Sequence, residues 1–243
     1  MIRMSLAELS ASIGARLLGD ERSFAGVGAD SRTIESGQLF VALRGERVDG
    51  HDYVAAVAER GAAAAVVEHP IDARLPQLVV DHAERALGEI ARVWRARCRA
   101  QVVGITGSNG KTTLKSLTHS ILSRAGRCHV NPGNLNNEIG LPLSLCALDA
   151  QADHAVCEMG AGKPGDIAYL ARIAAPQIAV SLRVVIYFVP AHRCTTLPGD
   201  DPIDMTVLVN PEISPVGEAR YEDWDGCLSL PGMRARTPRW ERI

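Results

Sequence analysis

The decapeptide GITGSNGKTT, residues 104–113, is the stretch of this chain whose residue types and spacing most directly imply chemistry. A glycine-rich turn between a strand and a helix lets successive backbone N–H groups point at phosphate oxygens, and the helix N-terminus adds a favourable dipole. Gly107, Ser108, Asn109 and Gly110 would form that cradle, with Thr113 beside it. Lys111 would pair with the β- and γ-phosphates as the catalytic cation, and the Thr112 hydroxyl would ligate Mg²⁺. The spacing departs from the strict GxxxxGK[ST] pattern, because position 105 is Ile and the first glycine of the loop is Gly107. A turn that merely joins strand to helix is the competing reading. The preceding strand, Lys111 and both threonines favour a triphosphate site of the ATP type.

Such a loop needs a sheet behind it and a helix in front, and the surrounding periodicity supplies both. QVVGITG reads as a buried strand and LKSLTHSILSRAG as a helix with Leu114, Leu117, Ile121 and Leu122 at helical spacing. A second strand and helix follow in HAVCEMGA and PGDIAYLARIA, an alternation that predicts a parallel sheet flanked by helices. Before residue 83 the elements are shorter. GQLFVAL, AAAVVEH and PQLVVDH read as strands and HDYVAAVAERGA as a helix, together a small α/β unit. Between the two halves, AERALGEIARVWRARCR puts Ala86, Leu87, Ile90, Val93 and Trp94 on one helical face. After Val180 the texture changes to RVVIYFVP and MTVLVNPEI, strand-like runs separated by a loop with Pro198, Gly199 and Pro202, which predicts antiparallel or mixed β structure.

Composition narrows the function classes. The 243 residues are 47% apolar, ample for a packed core in one large or two small domains. A formal net charge of -2 with no long run of Lys or Arg gives no footprint for nucleic acid or an anionic membrane. The first twenty residues carry Glu8 within their apolar pattern and lack a continuous hydrophobic segment, so no signal peptide is expected. The longest small-apolar run, GAAAAVV, is too short to span a bilayer. The six cysteines, 98, 128, 146, 157, 194 and 227, form no CxxC pair, and four lie in apolar patterns where Cys acts as a small hydrophobe. These features predict a cytoplasmic, reducing environment.

Four ordered motifs carry a family resemblance. TGSNGKTT, then NPGNLNNEIGLPLSL at 131–145, then CEMGAGKPGDIAYL at 157–170, preceded by ADSRTIESGQLFVALRGERVDGHDYVAAVAERGAAAAVVE, resemble the Mur ligases of bacterial cell-wall synthesis over residues 1 to about 180. The resemblance implies a UDP-sugar-binding domain at 1–83 and a parallel-sheet ATP-binding domain at 84–180. It implies ATP and Mg²⁺ as cofactors, with a UDP-N-acetylmuramoyl peptide and D-alanyl-D-alanine as substrates. In that chemistry a substrate carboxylate takes the γ-phosphate of ATP and an amine then attacks the acyl phosphate. Two anions meet, so cations and oriented donors are required. Glu158, at the end of the strand HAVCEMG, would ligate Mg²⁺ with Thr112; a solvated strand-end carboxylate is the alternative. Asn134, Asn136 and Asn137 match the family's loop facing nucleotide and substrate, where ordinary Asn turn chemistry is the alternative. Ser31 and Arg32 match its nucleotide-sugar contact.

Beyond IAAPQIAV the pattern changes. A Mur ligase would continue with an Asn- and His-bearing loop, a metal-bridging modified lysine and a third domain for the amine. Residues 181–243 instead resemble the middle of a peptide deformylase, an enzyme that holds its metal by one Cys and two His. DGCLS at 225–229 matches that family's EGCLS with Asp225 for Glu, so Cys227 would be the thiolate ligand. Ala174, Ala175 and Gln177 are what remains of its GxGxAAxQ motif, and HExxH does not occur in the 243 residues. AAPQIxV fits both families. The expected architecture is therefore α/β, with a β-rich deformylase-like segment joined at a shared short sequence. Ligation is expected to be incomplete in this chain, and non-catalytic nucleotide binding is the rival class.

Overall fold

A computed structural model describes residues 1–45, 47–107 and 109–181, and the backbone of four further strands at 184–189, 203–209, 220–226 and 234–240. The chain divides into two compact units, residues 1–182 and 183–243.

In the first unit the elements run β1 (Arg3–Ser5), α1 (Leu6–Ile13), β2 (Arg16–Leu18), β3 (Ser23–Ala25), β4 (Val27–Gly28), β5 (Leu39–Val41), a 3₁₀ turn (Gly50–Tyr53), α2 (Val54–Glu59), β6 (Ala64–Val67) and β7 (Gln77–Val79). There follow α3 (Ala83–Arg95), β8 (Gln101–Thr106), α4 (Lys111–Leu122), β9 (Cys128–Val130), α5 (Gly140–Cys146), β10 (His154–Glu158), α6 (Asp166–Ala174) and β11 (Ile178–Ser181). They build a five-stranded sheet in the order β2-β7-β6-β5-β4, a four-stranded sheet in the order β11-β8-β10-β9, and a small β1-β3 ribbon. All pairs of the four-stranded sheet are parallel. This is the sheet predicted from the alternation of QVVGITG and HAVCEMGA with helical segments.

Alternate strand residues face opposite ways, and the core divides accordingly. On the first sheet, Leu39, Val41, Ala64 and Val66 join the large core, while Phe40, Ala65 and Val67 pack with Val54, Val57 and Leu75 in a smaller one. The large core runs on through α3, whose Ala86, Leu87, Ile90 and Trp94 are buried as the spacing predicts, with Val93 only half-buried and Ala91, outside the predicted face, buried as well. It continues to α5, α6 and the Val102, Ala155 and Cys157 face of the second sheet. Helix α3 therefore packs on the first sheet and on α5 and α6 over the second. Helix α4 packs on β8, β9 and β10, against the opposite face of the second sheet, which carries Val156 and Glu158.

Helix α4 differs from expectation. Leu117 and Ile121 are 56% and 68% exposed, and the one buried side chain of the helix is Lys115 at 4%. The apolar spacing marked a helix but not its inward face, which is set by a buried carboxylate on β10. The four cysteines among the described residues are free, and burial pushes the thiols of Cys146 and Cys157 up to about 12, as expected of small core hydrophobes. No helix among the described residues is long and apolar enough to cross a membrane.

In the second unit, β12 (Val184–Val189) pairs antiparallel with β13 (Ile203–Val209), and β14 (Arg220–Gly226) with β15 (Arg234–Trp240). The two apolar runs after the seam are thus an antiparallel pair, as their pattern predicts. Cys227 lies outside the described residues.

Candidate functional site

In open parallel sheets, ligands gather beyond the carboxyl ends of the strands. Here β8 ends in the glycine-rich loop and its neighbour β10 ends at Glu158, in register with Ile105. The loop turns because Gly107 and Gly110 have φ of 150° and 75°, the latter a left-handed conformation that side chains resist, and Gly110 is the N-cap of α4. Among the described residues no side chain caps that helix end. Lys111 folds back to donate from Nζ to the Gly107 carbonyl at 2.8 Å. Asn109 and Thr113 are exposed beside it, and Ser108 lies outside the described residues.

One residue on, Thr112 donates from Oγ1 to Glu158 Oε2 at 3.0 Å. The two residues expected to share a cation are therefore adjacent, drawn together from a helix start and a strand end 46 positions apart. Glu158 is 2% exposed and fully engaged. Lys115 Nζ lies 3.2 Å from the same Oε2, and Asn136 Nδ2 donates to Oε1 at 2.8 Å. Its backbone N–H donates to Asn131 Oδ1 at 2.8 Å. The solvated strand-end reading of Glu158 is thereby excluded. A hydroxyl and a carboxylate oxygen are donors a hard divalent cation takes, so the pair fits Mg²⁺ once the hydrogen bond between them opens.

The asparagine loop separates into distinct roles. Asn136 reaches Glu158, and a Cβ on Gly160 would stand 2.9 Å from its Oδ1, so that glycine permits the approach. Asn137 Oδ1 accepts from Gly140 N at 2.8 Å and closes the start of α5. Asn134 is exposed and takes part through its carbonyl, which accepts from Asn136 N at 2.7 Å. Turn chemistry thus accounts for Asn137, and the site holds Asn136.

Two members of this cluster were not singled out from sequence. Asn131 is fully buried, with Nδ2 donating to the Leu135 carbonyl at 2.8 Å. Lys115 Nζ also donates to the carbonyls of Asn131 at 3.0 Å and Gly133 at 2.8 Å. Its signal was a lysine one turn beyond Lys111 and three residues from Thr112, on the face those residues share.

Ser31 and Arg32 lie on a turn, where Arg32 grips Asp30 in a two-pronged bond of 2.9 and 2.7 Å. Hydrogen bonds from Arg32 hold the Asp30 carboxyl down at about 2. Among the described residues, no hydrogen bond or ion pair links this turn to the Glu158 cluster. The Arg32 guanidinium is 85% exposed and accessible to an anion.

Comparison with known proteins fits this geometry. The Mur ligase family catalytic domain matches residues 23–95 and the Mur ligase middle domain residues 105–185. Polypeptide deformylase matches residues 165–243, overlapping the preceding match across the seam. The UDP-N-acetylmuramoyl-tripeptide–D-alanyl-D-alanine ligase of Escherichia coli is 41% identical over 180 residues, which are 74% of this chain and 40% of that protein. The Bacillus subtilis enzyme of the same name is 40% identical over 159 residues, 64% of this chain and 35% of that protein. This chain thus spans well under half the length of these relatives. A crystal structure of MurF from Acinetobacter baumannii aligns with a TM-score of 0.70 at 37% identity, covering 73% of this chain and 40% of that one. The MurF ligase of Thermotoga maritima in complex with ADP aligns at 0.58 and 35%, covering 63% and 36%. Residues 23–95 and 105–185, which hold the phosphate loop, Glu158 and the asparagine loop, are thus Mur ligase domains.

Proposed function

We propose that residues 1–181 supply the nucleotide- and UDP-sugar-binding chemistry of a cytoplasmic ligase of peptidoglycan precursor synthesis. The reaction joins D-alanyl-D-alanine to a UDP-N-acetylmuramoyl tripeptide. The tripeptide carboxylate takes the γ-phosphoryl group of ATP, the amine of D-alanyl-D-alanine attacks the acyl carbon, and inorganic phosphate leaves. The observation that carries this reading is the 3.0 Å contact of Thr112 with Glu158 at the head of the phosphate loop. In this reading residues 1–83 hold the UDP-sugar end, with Ser31 and Arg32 as contacts, and residues 84–180 hold ATP.

Each residue has a definite task. Lys111 leaves the Gly107 carbonyl and turns to the β- and γ-phosphates, where its charge offsets that of the transferring group. The free amides at the start of α4 receive phosphate oxygens. Thr112 and Glu158 would hold Mg²⁺, which when bound would supply Lewis-acid neutralisation of the phosphoryl oxygens. Asn136 fixes the orientation of the Glu158 carboxylate.

Calorimetric titration of the 243-residue chain with Mg-ADP tests this. Lys111→Ala is expected to weaken affinity by about tenfold or more, the loss of one charge-assisted contact. Unchanged affinity would remove the phosphate-loop assignment.

A second reading rests on the deformylase match over residues 165–243. In it Cys227 is a metal thiolate. A catalytic centre of that kind wants three protein ligands and an open position, and the 243 residues contain no HExxH pair. A polypeptide of these residues is expected to hold no stoichiometric iron or zinc and to release no formate from formyl-Met peptides. One equivalent of metal, lost in Cys227→Ser, would favour the deformylase reading.

A further inference from the structure

We infer that Lys115 is an internal cation that keeps free divalent metal off Glu158 and admits it only together with a nucleotide polyphosphate. This rests on the nucleotide-site reading above and concerns how that site is loaded.

An ammonium has three donors and no acceptor. In Lys115 two are spent on the carbonyls of Asn131 at 3.0 Å and Gly133 at 2.8 Å, and the charge pairs with Glu158 Oε2 at 3.2 Å. Two of these acceptors are backbone groups of the loop that also carries Asn136, and the lysine side chain is 5% exposed. It therefore has no route out toward solvent when a second cation approaches. The carboxylate it faces is 3% exposed and takes the Thr112 hydroxyl on the same oxygen.

Before nucleotide binds, Glu158 and Lys115 neutralise each other. A divalent ion placed between Thr112 and Glu158 would leave a net charge of about +2 beside the buried Lys115 and Glu158 side chains, a costly arrangement unless an anion balances it. Lys111, at the start of the same helix, adds further positive charge. A di- or triphosphate over the amides of α4 provides the balance. Metal affinity is thus coupled to nucleotide affinity, and the coupling is reciprocal.

The test uses Mn²⁺ in place of Mg²⁺, with bound and free ion separated by electron paramagnetic resonance in the full chain. In the parent chain, saturating ADP is expected to raise Mn²⁺ affinity on the order of a hundredfold. In Lys115→Met, ADP-free Mn²⁺ affinity is expected to rise about tenfold and the effect of ADP to shrink by the same factor, because a neighbouring charge has been removed. Lys115→Arg keeps the charge and should behave as the parent. A role confined to packing would not move ADP-free metal binding in this direction. If Lys115→Met does not fold, the parent decides. Tight Mn²⁺ binding without nucleotide, lost in Glu158→Gln, overturns the inference. ADP binding in the parent with no change in Mn²⁺ affinity overturns this inference alone, whereas absence of ADP binding overturns the nucleotide site and this inference with it.

Discussion

Oxygen Oε2 of Glu158 accepts from Thr112 and is ion-paired with Lys115 while Oε1 accepts from Asn136, so each oxygen is assigned before any ligand arrives. What holds the carboxylate's backbone is Asn131, which takes the Glu158 N–H on Oδ1 and gives Nδ2 to the Leu135 carbonyl. Replacing Asn131 with Ala leaves a buried donor and acceptor unpaired and is expected to cost about 2–4 kcal/mol in urea unfolding. The same variant should weaken Mg-ADP binding further than its loss of stability accounts for, since Glu158 loses its anchor. At the other candidate contact, Arg32→Ala is expected to lower affinity for the UDP-N-acetylmuramoyl tripeptide about tenfold by calorimetry, whereas Asp30→Asn should not, because Arg32 supplies the charge. The Asp30 carboxyl is held at about 2, below its ordinary 3.8, so its pairing is complete above about pH 4 and is lost as pH falls through 2. UDP-sugar binding near neutrality should therefore not titrate through Asp30.

The strand and helix around the phosphate loop were legible because each is long enough to show a period: six residues in β8 and twelve in α4. Helix α5 and strand β9 were not, since seven and three residues give too little pattern, and α5 begins behind an Asn-rich turn that reads as loop. Helix α1 was likewise unread, although Ser5 caps it by accepting from Glu8 N at 3.1 Å and Gly14 ends it at φ 67°. The chemistry of Lys111, Thr112 and Glu158 was visible in residue types, but Lys115 was not singled out, because its role depends on the acid that β10 places beside it. The unread elements carry their own titration. His129 on β9 is hydrogen-bonded to Ser144 Oγ of α5 at 3.0 Å, and burial holds its pKa below the ordinary 6.5. The unfolded chain then binds a proton that the folded chain does not, so stability falls as pH drops below 6.5. His129→Asn should flatten that slope, as measured by urea midpoints between pH 7.5 and 5.5.

Helix α3 decides whether residues 1–181 behave as one body. Its buried face packs on β5 and β6 of the first sheet and on α5 and α6 over the second, and one core cluster runs from Ile2 to Ala174 across it. Its C-terminal turn is fastened by polar groups as well. Trp94 Nε1 donates to the Leu148 carbonyl at 3.0 Å, the carbonyl that also accepts the Met1 ammonium at 2.8 Å. Arg95, 5% exposed, gives its guanidinium to the carbonyls of Ala174, Cys98 and Ala100, each at 3.0 Å. The first of these ends α6, where the helix dipole favours a cation. A sugar-binding half and an ATP-binding half divided at residue 83 would thus share a helix that neither can release cheaply. Ile90 is fully buried in the middle of that helix. Ile90→Ala is expected to cost about 2–5 kcal/mol through lost burial and the cavity left behind. Because both sheets lean on α3, hydrogen exchange should report that loss equally in the amides of β6 and of β10. Protection lost in one sheet and kept in the other would show that the two halves open separately and that α3 belongs to only one of them.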